Sequence, residues 1–345
     1  MQQVERGVSN GIEGGITIGE GTVLVFGDLH LSSSYKGTHK DYAKNCESVM
    51  VRILEICGKT KVNQGLSGIV FLGDVFGVKE RSLRDQEFRV LVTQFFQQLN
   101  SMAPVMSVRG NHDYGSSSEF MYFEILGLIK NPQYIDYNPS HVEVPEVRLH
   151  LVNYGNEASR IVVAPSGCSN VILAHNDFVV PGVDTWFGSS SIRLEKTGFA
   201  EDMDMLISGH IHNPYDSIVE ATYGGRRFNA FYPGCPTRVS ERYDECYYVS
   251  LSYNGVGTDV SVSPFGLCPS EEEFYDPKDG LGGTVDEESI DEQVRRTKLK
   301  ALLEELSSTK IFNADLVGVI ENIPTATNEA KRLAIKYLKE EMANA

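Results

Sequence analysis

The chain has 345 residues, 41% of them hydrophobic, a formal net charge of −16 and six cysteines. Such a length and apolar content predict one large domain with something smaller attached, and no run of about 18 apolar residues is present to span a membrane. The charge speaks against a surface that grips nucleic acid unaided, because phosphates are held by Lys and Arg. Nearly half of the excess lies in a C-terminal tail, where residues 269–345 carry 17 Asp and Glu against 10 Lys and Arg, a net of −7.

Residues 1–21 are glycine-rich and lack the basic start and apolar stretch of a secretory signal, so they read as an N-terminal extension of a cytoplasmic protein. Cys46, Cys57, Cys168, Cys235, Cys246 and Cys268 show no CxxC pairing, and several lie inside apolar runs. Buried free thiols in a reducing compartment are expected.

The apolar run 22–26 predicts a strand that ends in Gly27-Asp28-Leu29-His30. In an extended segment residues two apart point the same way, so Asp28 and His30 offer a carboxylate and an imidazole to one cation. Ala43, Cys46, Val49, Met50, Ile53, Leu54 and Cys57 recur at helical spacing and predict a crossover helix over 42–57. A second strand over 69–72 ends at Gly73-Asp74, and Phe88, Leu91, Val92, Phe95, Phe96 and Leu99 predict a helix over 83–99. A third strand over 104–108 closes in Gly110-Asn111-His112-Asp113. Alternating strands and helices of this kind build an α/β sheet with covered faces.

The second half repeats the pattern with histidines. The strand over 171–174 ends at His175-Asn176-Asp177, and that over 205–208 ends at Gly209-His210-Ile211-His212. The stretch 176–204, with the single tryptophan Trp186, is expected to be a loop near the site. After further β character over 245–253 and 260–262 the composition shifts. Residues 269–285 read as a linker, and 286–345 as a helical C-terminal region with apolar stripes at Leu299, Leu302, Leu303, Leu306 and at Leu333, Ala334, Tyr337, Leu338. The catalytic domain would then occupy 22–268.

A lone histidine beside an apolar run is more often a hydrogen-bonded core or surface residue than a ligand. Here five apolar segments each end in Asp or His next to Gly, Asn or Ala, and ligands of open α/β sheets gather at the carboxyl ends of strands. His39, His141 and His150 lie outside this pattern.

Taken in order over about residues 23–213, the Asp-x-His, Gly-Asp, Gly-Asn-His-Asp, single His and Gly-His-x-His turns resemble those of the calcineurin-like metallophosphoesterase superfamily. The resemblance implies a four-layer α/β/β/α sandwich, two sheets of mixed strands flanked by helices, with a dinuclear centre at one edge. It assigns Asp28, His30, Asp74 and His212 to a first metal and Asp74, Asn111, His175 and His210 to a second, with Asp74 as the bridge. It gives His112 the leaving group and Asp113 the task of orienting its ring. Such a donor set suits two divalent cations, manganese first, with iron or zinc compatible, and no cysteine falls in these five motifs. Paired cations activate a bridging water and clamp the oxygens of an in-line phosphoryl displacement, which hydrolyses a phosphoester.

The second motif lacks the GDxVDRG pattern of protein phosphatases, and Asp113 stands where they carry Glu. Tyr232-Pro233-Gly234-Cys235-Pro236-Thr237-Arg238, continued by Ser240 and Glu241, is similar to the turn that follows GHxH in the SbcD/Mre-type recombination and repair nucleases. That similarity implies a two-metal DNA nuclease, exo- or endonucleolytic. It would be the catalytic subunit of an SbcCD-like or phage recombination complex, a homodimer acting on DNA, whose C-terminal helices either dock an SbcC-like ABC-type ATPase or fold against the catalytic domain. Members often carry a histidine where this chain has Gly77; either His39 or Lys79 supplies that contact or exonuclease activity is weaker than in such relatives. The alternative is a nucleotide or small-molecule phosphodiesterase or phosphatase of the same superfamily, for which an acidic surface is no obstacle. A scaffold that has lost catalysis is the third reading, and the presence of every expected ligand weighs against it.

Overall fold

A computed structural model of the protein describes residues 14–33, 41–77, 83, 85–113, 118–139, 143–182, 191–237, 245–253 and 257–266. In chain order the strands of the first half are β1 (Gly15–Ile18), β2 (Thr22–Phe26), β3 (Leu66–Phe71), β4 (Val105–Ser107), β5 (Tyr134–Tyr137), β6 (Val147–Val152) and β7 (Ser169–His175). Those of the second half are β8 (Phe178–Val179), β9 (Ile192–Arg193), β10 (Met205–Gly209), β11 (Val219–Tyr223), β12 (Arg226–Phe231), β13 (Tyr247–Tyr253) and β14 (Thr258–Pro264). Three helices are described: α1 (Tyr42–Gln64), α2 (Gln86–Met102) and α3 (Ser118–Ile125).

Two mixed sheets form the body. One has seven strands in the order β1-β5-β6-β7-β10-β12-β11, the other five in the order β14-β13-β2-β3-β4. Side chains alternate across a strand, and β2 shows the result. Val23 and Val25 enter a core shared with Ile135, Tyr137, Leu149, Val171, Leu173 and Ile207 of the larger sheet, which lies between the two sheets. Leu24 and Phe26 face the other way, into a core built with Val49, Met50 and Ile53 of α1 and Phe88, Phe95 and Phe96 of α2. On the outer face of the larger sheet, Ile172, Ala174 and Leu206 pack under Phe178, Leu194, Phe199 and Met203. That cover includes the β8–β9 ribbon and a single 3-10 turn, Leu194–Lys196.

Helix boundaries follow capping chemistry. Asp41 accepts the Lys44 amide at 3.1 Å and starts α1, which runs past the expected Cys57 to Gln64 and stops at Gly65, φ +75°. Asp85 accepts the Phe88 amide at 2.9 Å, so α2 begins at Gln86 and not at Leu83.

Two expectations are corrected. The stretch 1–21 is not wholly an extension, because β1 pairs in parallel with β5, Gly15 opposite Tyr134, and forms the edge of the larger sheet. A Cβ on Gly15 would stand 2.1 Å from the Tyr134 ring, so a larger residue there would push that ring aside. The stretch 176–204 is not wholly loop, since β8 and β9 pair within it. Trp186, His39, Lys79, His141, Arg238, Ser240, Glu241, the linker at 269–285 and the helical region 286–345 lie outside the described residues. No described helix is long and apolar enough to cross a membrane.

Candidate metal centre

β2, β3 and β4 are parallel neighbours in one sheet, and β7 and β10 are parallel neighbours in the other. Their carboxyl ends carry the five turns, and the packing of the sheets brings those turns together. Asp28 and His30, and likewise His210 and His212, do not sit on extended backbone as the spacing predicts. His30, Asp74 and His210 have φ of +46°, +45° and +75°, a left-handed region that costs a non-glycine residue about 1–3 kcal/mol. Neighbouring glycines make room for the carboxylates. A Cβ on Gly110 would lie 2.1 Å from Asp74 Oδ1, and one on Gly209 would lie 2.2 Å from Asp28 Oδ1.

The donors fall into two groups that share Asp74. In the first, His30 Nε2 faces His212 Nε2 at 3.0 Å. Asp28 Oδ2 is 3.6 Å from His212 Nε2, and Asp74 Oδ2 is 3.7 Å from His30 Nε2. In the second, Asn111 Oδ1 is 3.0 Å from both His175 Nε2 and His210 Nδ1, and Asp74 Oδ2 is 3.3 Å from His175 Nε2. The backbone closes the frame: the His210 amide donates to Asp28 Oδ2 at 2.9 Å, the His112 amide to Asp74 Oδ1 at 2.8 Å, and His175 Nδ1 meets the Leu72 carbonyl at 2.7 Å. All seven expected donors therefore converge.

Burial shapes the ionisation of this cluster. It pushes the Asp28 carboxyl well above the usual range, against the pull of His175. Asp74 feels the same burial, but His175, His30 and His112 outweigh it and hold its carboxyl below the usual range. Burial drives the His30 imidazole well down and those of His210 and His212 down to about 4. The His175 ring resists burial, because Asp74 and Asp28 raise it to about 9. Neutral imidazoles are the ligand form of histidine. Two buried carboxylates whose described ion-pair partners are all imidazoles, with an amide oxygen and four rings turned inward, fit a pair of divalent cations.

His112 sits beside this frame, with Nε2 3.8 Å from Asp74 Oδ2 and its side chain 31% exposed. Asp113 does not orient that ring, as the resemblance implies. Its carboxylate accepts the amides of Gly110 at 3.0 Å and of Val75 and Phe76 at 3.4 Å, so it ties the Asp74 turn to the Asn111 turn, while His112 Nδ1 has no hydrogen-bond partner among the described residues. Burial, reinforced by Asp74, raises the Asp113 carboxyl to about 7. At Gly77, where members of the resembled family often carry a histidine, a Cβ would lie only 3.0 Å from Ser32 Cβ and 3.1 Å from the His30 carbonyl, so the position faces packed chain.

Two residues missed by the motif reading border the site. Tyr154 has its ring 6.1 Å from that of His210 and 6.4 Å from that of His175. Cys235 places its sulfur with donor atoms of His30 and His212 in a set spanning no more than 4.8 Å. The Tyr-Pro-Gly-Cys-Pro-Thr turn was the available signal for Cys235. No sequence signal marks Tyr154.

No curated protein matches the chain by sequence. Among solved structures, a Streptococcus pneumoniae protein described as a predicted phosphoesterase is 13% identical, with a TM-score of 0.31 over 71% of this chain and 90% of that one. A Pseudomonas putida nuclease, MPE, is 15% identical with a TM-score of 0.25 over 46% and 64%. Zinc-complexed Vps29 of Entamoeba histolytica is 15% identical with a TM-score of 0.30 over 71% and 99%. The family model for calcineurin-like phosphoesterases matches residues 21–214, more than half of the chain and every turn from Asp28 to His212, and the chain belongs to that family.

Proposed function

We propose that the protein is a two-cation phosphodiesterase that hydrolyses nucleotide phosphodiesters. The observation that carries this reading is Asp74, buried between two groups of donors and within 3.7 Å of His30 Nε2 and 3.3 Å of His175 Nε2. Asp28, His30 and His212 would hold one cation and Asn111, His175 and His210 the other, with Asp74 common to both. When bound, such a pair supplies Lewis acidity and an activated water.

The chain's own residues do the rest. Asp74 takes the His112 amide on Oδ1 and thereby fixes where the His112 ring begins. That ring reaches solvent and is placed to meet substrate. As the oxygen of the activated, deprotonated water bonds to phosphorus and the ester P–O bond breaks, the His112 ring would give a proton to the leaving oxygen, yielding a monoester and an alcohol. Asp113 keeps the two turns in register from behind.

The net charge of −16 favours a substrate that needs few phosphate contacts. A second reading, a DNA nuclease, draws support from the Tyr232–Thr237 turn that resembles the SbcD/Mre type and borders the site through Cys235. In that reading DNA, an SbcC-like ATPase on the C-terminal helices and a second copy of the chain complete the assembly, with manganese as the metal. Purified protein assayed with Mn²⁺, Fe²⁺, Zn²⁺ or Co²⁺ is expected to cleave bis-p-nitrophenyl phosphate and dinucleotides faster than p-nitrophenyl phosphate, with EDTA abolishing turnover. Faster cleavage of linear DNA than of dinucleotides selects the nuclease. No diester hydrolysis with any of the four metals overturns both readings.

A further inference from the structure

We propose that Cys235 supplies a sulfur donor to the cation held by His30 and His212, turning this half of the centre toward a soft divalent metal such as zinc or ferrous iron. The inference rests on the two-cation reading and adds a ligand to it. Among the described residues, Cys235 is the cysteine whose sulfur joins a set of histidine donor atoms, all within 4.8 Å of one another.

Its position is built rather than incidental. Cys235 is 4% exposed, and its Sγ lies 3.2 Å from Thr237 Oγ1. Tyr42 at the start of α1 donates its hydroxyl to the His30 carbonyl at 3.1 Å and shares a hydrogen bond with the Thr237 hydroxyl at 3.1 Å, and the Asn45 amide donates to the Thr237 carbonyl. One helix end thus holds both the His30 turn and the Cys235 turn. Gly27 and Gly234 bring those turns into backbone contact: a Cβ on Gly27 would stand 1.9 Å from the Gly234 carbonyl, and Gly234 has φ +79°.

The His30 ring supplies a second observation. His30 is 2% exposed, its Nδ1 has no hydrogen-bond partner among the described residues, and its Nε2 faces another imidazole nitrogen at 3.0 Å. Two ring nitrogens and a thiol within 4.8 Å of one another are a donor set. Cys46 and Cys57 differ: burial drives both thiols upward, and neither joins such a set, so they remain inert core residues. On metal binding the Cys235 thiol releases its proton to solvent as the sulfur–metal bond forms. Thiolate ligands select soft cations, whereas oxygen-rich sites suit manganese.

Cobalt titration of the whole protein tests the assignment. Bound Co²⁺ is expected to show visible ligand-field absorption and a near-ultraviolet sulfur-to-cobalt charge-transfer band. Cys235→Ser and Cys235→Ala should lose the band and keep the visible absorption. In competition experiments Cys235→Ser should weaken Zn²⁺ binding by at least about tenfold and change Mn²⁺ binding by less than about threefold. Ligand-field absorption without the band in wild-type protein overturns the proposal and leaves the two-cation reading standing, as does a band that survives both substitutions. No cobalt binding at all overturns the two-cation reading, and the proposal with it. If both variants misfold, zinc-edge X-ray absorption on wild-type protein decides, with an all-nitrogen-and-oxygen shell as the overturning result.

Discussion

The Asp74 carboxylate, on the turn after β3, lies 3.3 Å from His175 Nε2, at the end of β7 in the opposite sheet. On its other side the His175 ring meets the Leu72 carbonyl of the Asp74 strand end at 2.7 Å. The two residues therefore fasten one sheet to the other at the edge where the donors collect. The same contact that closes the sandwich also fixes the shared carboxylate.

Asp74→Asn is expected to remove that shared charge while keeping the shape. The amide still accepts on one atom, yet it neither bridges two cations nor balances their charge. Turnover should fall roughly 10³-fold or more, and metal analysis should show fewer than two equivalents bound. Normal turnover with full metal content would remove Asp74 from the bridging position.

His112→Ser separates chemistry from metal binding. The His112 amide, not its ring, is the partner of Asp74 Oδ1, and a serine keeps that amide. Metal content should stay at the wild-type level while kcat falls roughly 10²–10⁴-fold. The loss should shrink for substrates with a good leaving group, such as p-nitrophenyl esters, because they need little protonation. Depleted metal in the variant would reassign His112 as a ligand.

Gly110→Ala tests the close approach behind Asp74. The added Cβ would meet Asp74 Oδ1 at 2.1 Å and the Asp74 amide nitrogen at 2.3 Å, far inside any tolerated contact. Asp74 already holds a left-handed φ of +45°, so its turn has little freedom to retreat. Metal affinity should drop at least tenfold, measured by calorimetric titration, with a loss of stability of about 1–3 kcal/mol. An affinity unchanged within error would show that the turn yields, and that the glycine serves another purpose.

The centre could be read from the sequence because metal binding demands uncommon residue types next to glycines at strand ends, and five such ends occur in one chain. The central strands and the long helices were equally plain, since buried parallel strands are continuous apolar runs and α2 repeats its apolar face. The strand β6 was not readable by periodicity. All six residues of β6 are buried, but Arg148 and His150 interrupt its apolar run, and their partners lie elsewhere in the chain. Arg148 pairs with Asp136 at 2.6 and 2.9 Å and stacks 4.2 Å from the Tyr134 ring, and His150 meets Asn170 at 2.8 Å. Asp113 misled for a related reason. Adjacency to His112 implied support for its ring, whereas two of its amide partners, Val75 and Phe76, lie on a turn brought near only by the pairing of β3 with β4.

His150 gives the fold a pH dependence that does not pass through the metal centre. Burial holds its imidazole below the ordinary value of about 6.5, although the hydrogen bond to Asn170 pulls the other way. Below that ordinary value the unfolded chain binds a proton on this residue that the folded chain does not, so stability falls as pH drops toward the folded value. Above about pH 6.5 both states are neutral and the contribution is flat. His150→Gln keeps a hydrogen-bonding group opposite Asn170 and removes the titration. Chemical denaturation at pH 7.5 and 5.5, on wild-type and variant protein freed of metal, should show a smaller loss of stability on acidification in the variant. The histidines of the metal centre contribute to both proteins alike, so the difference isolates His150. Equal losses in the two proteins would mean that His150 is protonated as readily in the folded chain as in the unfolded one.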